Sequence, residues 1–163
     1  MNDYLDAGEN IAKNSVLSEL EFVVFDTETS SLDNDAELLS IGAIRCSSKE
    51  IHVNSALDIV IGNSRLADKP ENVEIHGITN RQTGEGINLE VALQRFCTFS
   101  MGAVLVAQHV NFDLQMLRFA INRVYGKEVK LSIPYLDTAE LAIRLEQPRF
   151  DRTNVDRKKY TLD

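Results

Sequence analysis

Asp26 and Glu28 stand two residues apart at the end of an apolar run, Phe22-Val23-Val24-Phe25, that reads as a buried strand. On a strand, residues i and i+2 share a face about 7 Å apart, so the two carboxylates can converge on one spot. Two like charges at the end of an apolar strand need a cation to sit there stably. A third acid, Asp113, comes directly after Phe112 where a loop leaving the apolar stretch 103–107 starts a helix. Taken singly, each has an ordinary explanation. Asp26-x-Glu28 reads as a solvated strand end, and Asp113 as an acid favoured in a first helical turn. In a sheet that makes these strands neighbours, the three acids meet. Such an oxygen-rich site suits Mg²⁺ or Mn²⁺ rather than zinc. A pair of these ions about 4 Å apart stabilises both the attacking and the leaving oxygen of a phosphodiester.

The elements that must position these acids are legible in the hydrophobic pattern. Residues 1–20 are polar with sparse apolar positions and read as an N-terminal extension, either an opening helix or partly disordered. Residues 21–27 form the first strand, and Asp33-Asn34-Asp35 is a turn signal. Leu38 to Ile44 begins a second strand and Ile51 to Ile61 makes a third, joined as a hairpin. Residues 62–72 read as loop. Leu89, Ala92, Leu93, Phe96 and Cys97 have helical spacing over 89–99. Residues 103–107 are a short buried strand, and 112–124 a helix with Leu114, Leu117, Ala120, Ile121 and Val124 on one face. Tyr135-Leu136 leads into a third helix over 138–145. A meander and then alternating strands and helices predict an α/β fold: a mixed sheet with helices packed on it.

The 163 residues suffice for one domain with a substantial core. A net charge of −8 excludes bulk electrostatic coating of nucleic acid, so any such binding is local and metal-assisted. The stretch from Arg144 to Lys159 runs against that balance, with six basic and three acidic residues. It reads as a solvated loop or as a phosphate-facing edge. Cys46 and Cys97 form no disulfide framework and no metal-ligand spacing, and read as buried thiols in a reducing, cytoplasmic compartment. The N-terminal residues lack a basic region with an apolar run after it, and no apolar stretch reaches membrane-spanning length, so no membrane partner is expected.

Phe25-Asp26-Thr27-Glu28-Thr29-Ser30-Ser31-Leu32 resembles the first motif of the DEDD-type 3′–5′ exonucleases, the family of the proofreading epsilon subunit of bacterial DNA polymerase III. The strand at 38–44 is similar to the family's next strand after that motif. Pro70-Glu71 with Ile75-His76-Gly77-Ile78-Thr79 resembles the segment that holds the terminal nucleotide. Val106 to Asp113 resembles the second motif, and Asp137-Thr138 matches a position read as structural in the family. The resemblance implies a ribonuclease H-like sheet and a two-ion Mg²⁺ or Mn²⁺ site held by Asp26, Glu28 and Asp113. It implies Thr29, Glu71 and His76 on the sugar and 3′-hydroxyl of the last nucleotide, with Ile75 and Phe112 walling its base and sugar. On the residues alone, His76 reads as a turn histidine capping a short helix.

Two departures qualify the resemblance. Gln108-His109 stands where the family has His-Asn, at positions that brace the site. The family's third motif, a general-base histidine with a fourth acid five residues on, has no counterpart: His52, His76 and His109 all lack an acid at that spacing. Tyr160 to Asp163 resembles the start of the helix that precedes that motif, so the chain is expected to be a C-terminally incomplete exonuclease domain, impaired as it stands. The expected function is metal-dependent 3′–5′ exonuclease action on single-stranded ends, with a DNA polymerase as a possible partner. The alternatives are a non-catalytic module that binds nucleic-acid ends or a polymerase, and an oligoribonuclease-like RNA exonuclease.

Overall fold

A computed structural model describes residues 15–31, 36–62, 84–126, 133–146 and 157–161. Five strands are described: β1 (Glu21–Thr29), β2 (Leu38–Ser47), β3 (Leu57–Val60), β4 (Val104–Ala107) and β5 (Tyr135–Asp137). Three α-helices accompany them: α1 (Leu89–Ser100), α2 (Asn111–Tyr125) and α3 (Thr138–Glu146). The sheet order is β3-β2-β1-β4-β5. β3, β2 and β1 pair antiparallel, and β4 and β5 add in parallel, as the meander-then-alternation pattern predicts.

β1 is the central strand because it is apolar on both faces over its first half. Val23 and Phe25 are buried on the side that takes the helices. α1 and α2 cover that side with Leu93, Phe96, Leu117 and Ile121, and the Phe25 and Phe96 rings lie 5.3 Å apart at 47°. α2 ends at Gly126, whose φ of 62° is the left-handed cap that lets its N–H reach the Asn122 carbonyl. α3 sits apart from this core. It buries Ala139 and Ile143 against Tyr160, whose hydroxyl donates to Glu146 Oε2 at 2.7 Å.

Three expectations need correction. The third strand begins at Leu57, not Ile51. Ile51 makes a single bridge to Cys46, and both the amide and the hydroxyl of Ser55 donate to the His52 carbonyl, closing a turn that interrupts the ladder. Tyr135–Asp137 is a fifth strand rather than a lead-in, because β4 offers it a parallel partner. Cys46 is half-buried, since it lies at the end of β2. The turn at 33–35 and nearly all of the loop 62–72 fall outside the described residues, as do residues 1–14. Among the described residues no helix is long and apolar enough to cross a membrane.

Candidate active site

β1 and β4 run parallel, so their C-terminal ends leave the sheet at the same edge. A three-residue turn then carries β4 into α2, which brings the first turn of α2 to the end of β1. Strand alternation sorts the side chains there. Thr27 is buried and turned to α2, while Asp26 and Glu28 lie on the opposite face, exposed and half-exposed. Asp113, in the first turn of α2, is only 3% exposed. Its Oδ1 accepts two hydrogen bonds from Thr27, one from the amide at 3.0 Å and one from the hydroxyl at 2.6 Å.

The three acids feel one another. Burial pushes the Asp113 carboxyl up to about 6; the Thr27 donors oppose that rise, and the Asp26 charge adds to it. Desolvation raises Glu28, and the Asp26 and Asp113 charges raise it further. Asp26 is also raised by desolvation, against the pull of the Thr27 amide. Among the described residues no Lys, Arg or His forms an ion pair with any of the three. Mutually repelling carboxylates without a basic partner are a donor set suited to a hard divalent cation.

The expected convergence is nonetheless incomplete. Among the described residues no three acidic, histidine or cysteine side chains stand close enough to ligate one ion together. The reason is local: alternation puts Asp26 and Glu28 on one face of β1, whereas Asp113 opens α2 on the other.

Of the other expected site residues, Thr29 lies at the end of β1, where its hydroxyl donates to the Ser31 carbonyl at 2.7 Å. Phe112 begins α2, half-buried against the core. Glu71, Ile75 and His76 lie outside the described residues. The bracing expected of positions 108 and 109 is present. Gln108 donates to the Tyr160 carbonyl and accepts from the Thr138 hydroxyl. His109 has a φ of 51°, and its amide donates to Asp137 Oδ1 at 3.2 Å. The same oxygen accepts from the Ala139 amide at 2.9 Å, so Asp137 ties the start of α3 to the corner between β4 and α2. The residue that sequence reasoning missed is Thr27. Its signal was present: alternation along β1 sends a hydroxyl, flanked by two acids, to the buried face.

The sequence model of the RNase T exonuclease family matches residues 23–162. The chain belongs to this exonuclease family. It is 34% identical over 144 residues to a DNA polymerase III PolC-type of Caldanaerobacter subterraneus subsp. tengcongensis, covering 88% of this chain and 9% of that protein. Against the PolC-type polymerase of Thermotoga maritima it is 31% identical, covering 82% of this chain and 9% of the relative. Against a DNA polymerase III subunit epsilon-like protein of Rhodobacter capsulatus it is 33% identical, covering 83% and 19%. The chain therefore spans less than a fifth of each of these relatives. The crystal structure of E. coli exonuclease I in complex with a dT13 oligonucleotide shares its fold, with a TM-score of 0.65 at 17% identity over 83% of this chain and 32% of that one. The mixed five-stranded sheet with flanking helices is thus the ribonuclease H-like fold of the exonuclease family.

Proposed function

We propose that residues 21–163 form a metal-dependent 3′–5′ exonuclease domain that hydrolyses the terminal phosphodiester of single-stranded nucleic acid, DNA foremost, to nucleoside monophosphates. The observation that carries this reading is the group Asp26, Glu28 and Asp113, electrostatically coupled at one sheet edge with no basic partner among the described residues. Asp26, Glu28 and Asp113 are the residues to hold two Mg²⁺ or Mn²⁺ ions, which when bound supply Lewis-acid charge at the scissile phosphate. Asp26 and Glu28 present their carboxylates from one strand face, and the buried Asp113 approaches from the helix side. Thr29 and Phe112, at the same corner, offer a hydroxyl and an apolar ring to the terminal sugar and base. Glu71, Ile75 and His76 complete that pocket in the sequence reading. The likeness to DNA polymerase III chains supports a replicative polymerase as partner.

A full-length version of the protein incubated with Mg²⁺ and a 5′-labelled single-stranded oligonucleotide should shorten it one nucleotide at a time, and Asp26→Ala should abolish this. Absence of metal-dependent shortening, or full activity in Asp26→Ala, defeats the proposal. Parallel DNA and RNA oligonucleotides decide between a DNA enzyme and the oligoribonuclease-like alternative.

Among the described residues no three acids stand close enough to ligate one ion together, which favours one second reading, a module that holds ends without cleaving them. End-binding indifferent to divalent metal supports this second reading.

A further inference from the structure

We propose that Thr27 is a positioning residue that fixes which oxygen of Asp113 serves the metal site. This rests on the metal-dependent reading above. Thr27 is buried between the two acids of β1, yet its side chain faces the other way, into the corner where α2 begins. Its amide and hydroxyl both donate to one oxygen of Asp113, across 86 positions of sequence. Two donors on Oδ1 leave that oxygen little further accepting capacity and lock the rotation of the carboxyl plane. Both bonds from Thr27 fall on Oδ1, so Oδ2 is the oxygen that Thr27 leaves available to an ion. The cap position of α2, Val110, has no side-chain acceptor or donor, and the backbone bond from Asp113 itself weighs less on its carboxyl than the Thr27 hydroxyl does.

One three-residue segment thereby sets all three acids. Asp26 and Glu28 are placed by alternation on one face, and Asp113 is placed through the residue between them. Thr27 does not touch substrate or ion; its effect passes through the Asp113 carboxylate. Groups that orient metal-binding carboxylates in this way typically change metal affinity by about 10- to 100-fold when removed.

The test uses the intact 163-residue chain and Mn²⁺ alone, with binding read from loss of the free-ion paramagnetic resonance signal. Thr27→Val keeps the shape and the amide bond but deletes the hydroxyl. It should weaken Mn²⁺ binding about tenfold, and Thr27→Ser should restore it to within about threefold. In an Asp113→Asn background, Thr27→Val should change Mn²⁺ binding no further, as expected for two residues acting in series. Circular dichroism melts of each variant separate loss of affinity from loss of fold. Should Thr27→Val not fold, Thr27→Ala, which also lacks the hydroxyl, and its Asp113→Asn double mutant carry the same comparison. Native Mn²⁺ affinity in a folded Thr27→Val, or equal losses with and without Asp113, overturns the role of Thr27 and leaves the nuclease reading standing. Failure of the unsubstituted chain to bind Mn²⁺ overturns both.

Discussion

Asp113 is the residue at which stability and function pull in opposite directions. A carboxyl raised from 3.8 to about 6 by burial binds its proton more tightly folded than unfolded. Between those values the folded state holds more protons, so stability falls as pH rises and the loss is complete above about pH 6. Two units correspond to about 3 kcal/mol withdrawn from the fold at neutral pH. Asp113→Asn keeps an oxygen for the Thr27 donors and removes the buried charge. In chelator at about pH 8, it should therefore raise the urea midpoint, by up to about 3 kcal/mol of unfolding free energy. At about pH 4 the two proteins should converge, because the native carboxyl is then protonated. A variant less stable than the native chain at pH 8 contradicts this assignment of the penalty. The same substitution should lower metal-dependent cleavage, since the amide cannot replace the anion.

At the scale of elements, the central strand and the two helices behind it were legible because their periodicities are clean. The strand predicted over 21–27 extends to Thr29, the helix over 89–99 to Ser100, and that over 112–124 spans Asn111–Tyr125. The positions of the candidate acids were legible from the same patterns: alternation puts Asp26 and Glu28 on one face, and Asp113 lies in the first turn of α2. The features that escaped the sequence are made by partners distant in the chain. β5 has three residues and no pattern of its own; it exists because β4 pairs with it. The shortened β3 reflects a local turn at Ser55, and the Thr27–Asp113 bond spans 86 positions. The positioning of Asp113 depends on how firmly α1 and α2 seat on the sheet. Phe96 is the aromatic anchor there, 2% exposed and in contact with Phe25. Phe96→Ala should cost about 3–5 kcal/mol through the cavity it leaves, read as a drop in the melting midpoint. Gly86 has a narrower role. A Cβ there would meet the Gly62 amide nitrogen at 2.5 Å, so Gly86→Ala should force apart the end of β3 and the start of the helical half. Amide exchange at Ile61 and Ile87, which bridge beside this contact, should accelerate in that variant, and unchanged exchange would show that the backbone yields without cost.

The whole molecule carries a net charge of −8, and Asp26, Glu28 and Asp113 raise one another's proton affinity at one sheet edge without cationic partners among the described residues. Such a surface repels a phosphodiester until its charge is locally reversed, so metal, stability and substrate binding are linked quantities. A ligand that binds only the folded state at ten times its dissociation constant stabilises by about 1.4 kcal/mol, which for a chain of this size is about 3–6 °C. Mg²⁺ at that level should raise the melting midpoint by this amount at about pH 8. At about pH 5 the shift should be smaller, because the Asp113 proton, held with a pKa of about 6, must leave before the carboxylate can serve the ion. Binding of a single-stranded oligonucleotide, measured by fluorescence anisotropy, should keep the same order: weak in chelator, tighter with Mg²⁺ at pH 8 than at pH 5. Asp26→Ala should flatten both dependences together. A midpoint shift that persists in Asp26→Ala places the ion elsewhere on the acidic surface. A shift that is larger at pH 5 than at pH 8 contradicts Asp113 as a participant, because ion and proton then no longer compete for one carboxylate.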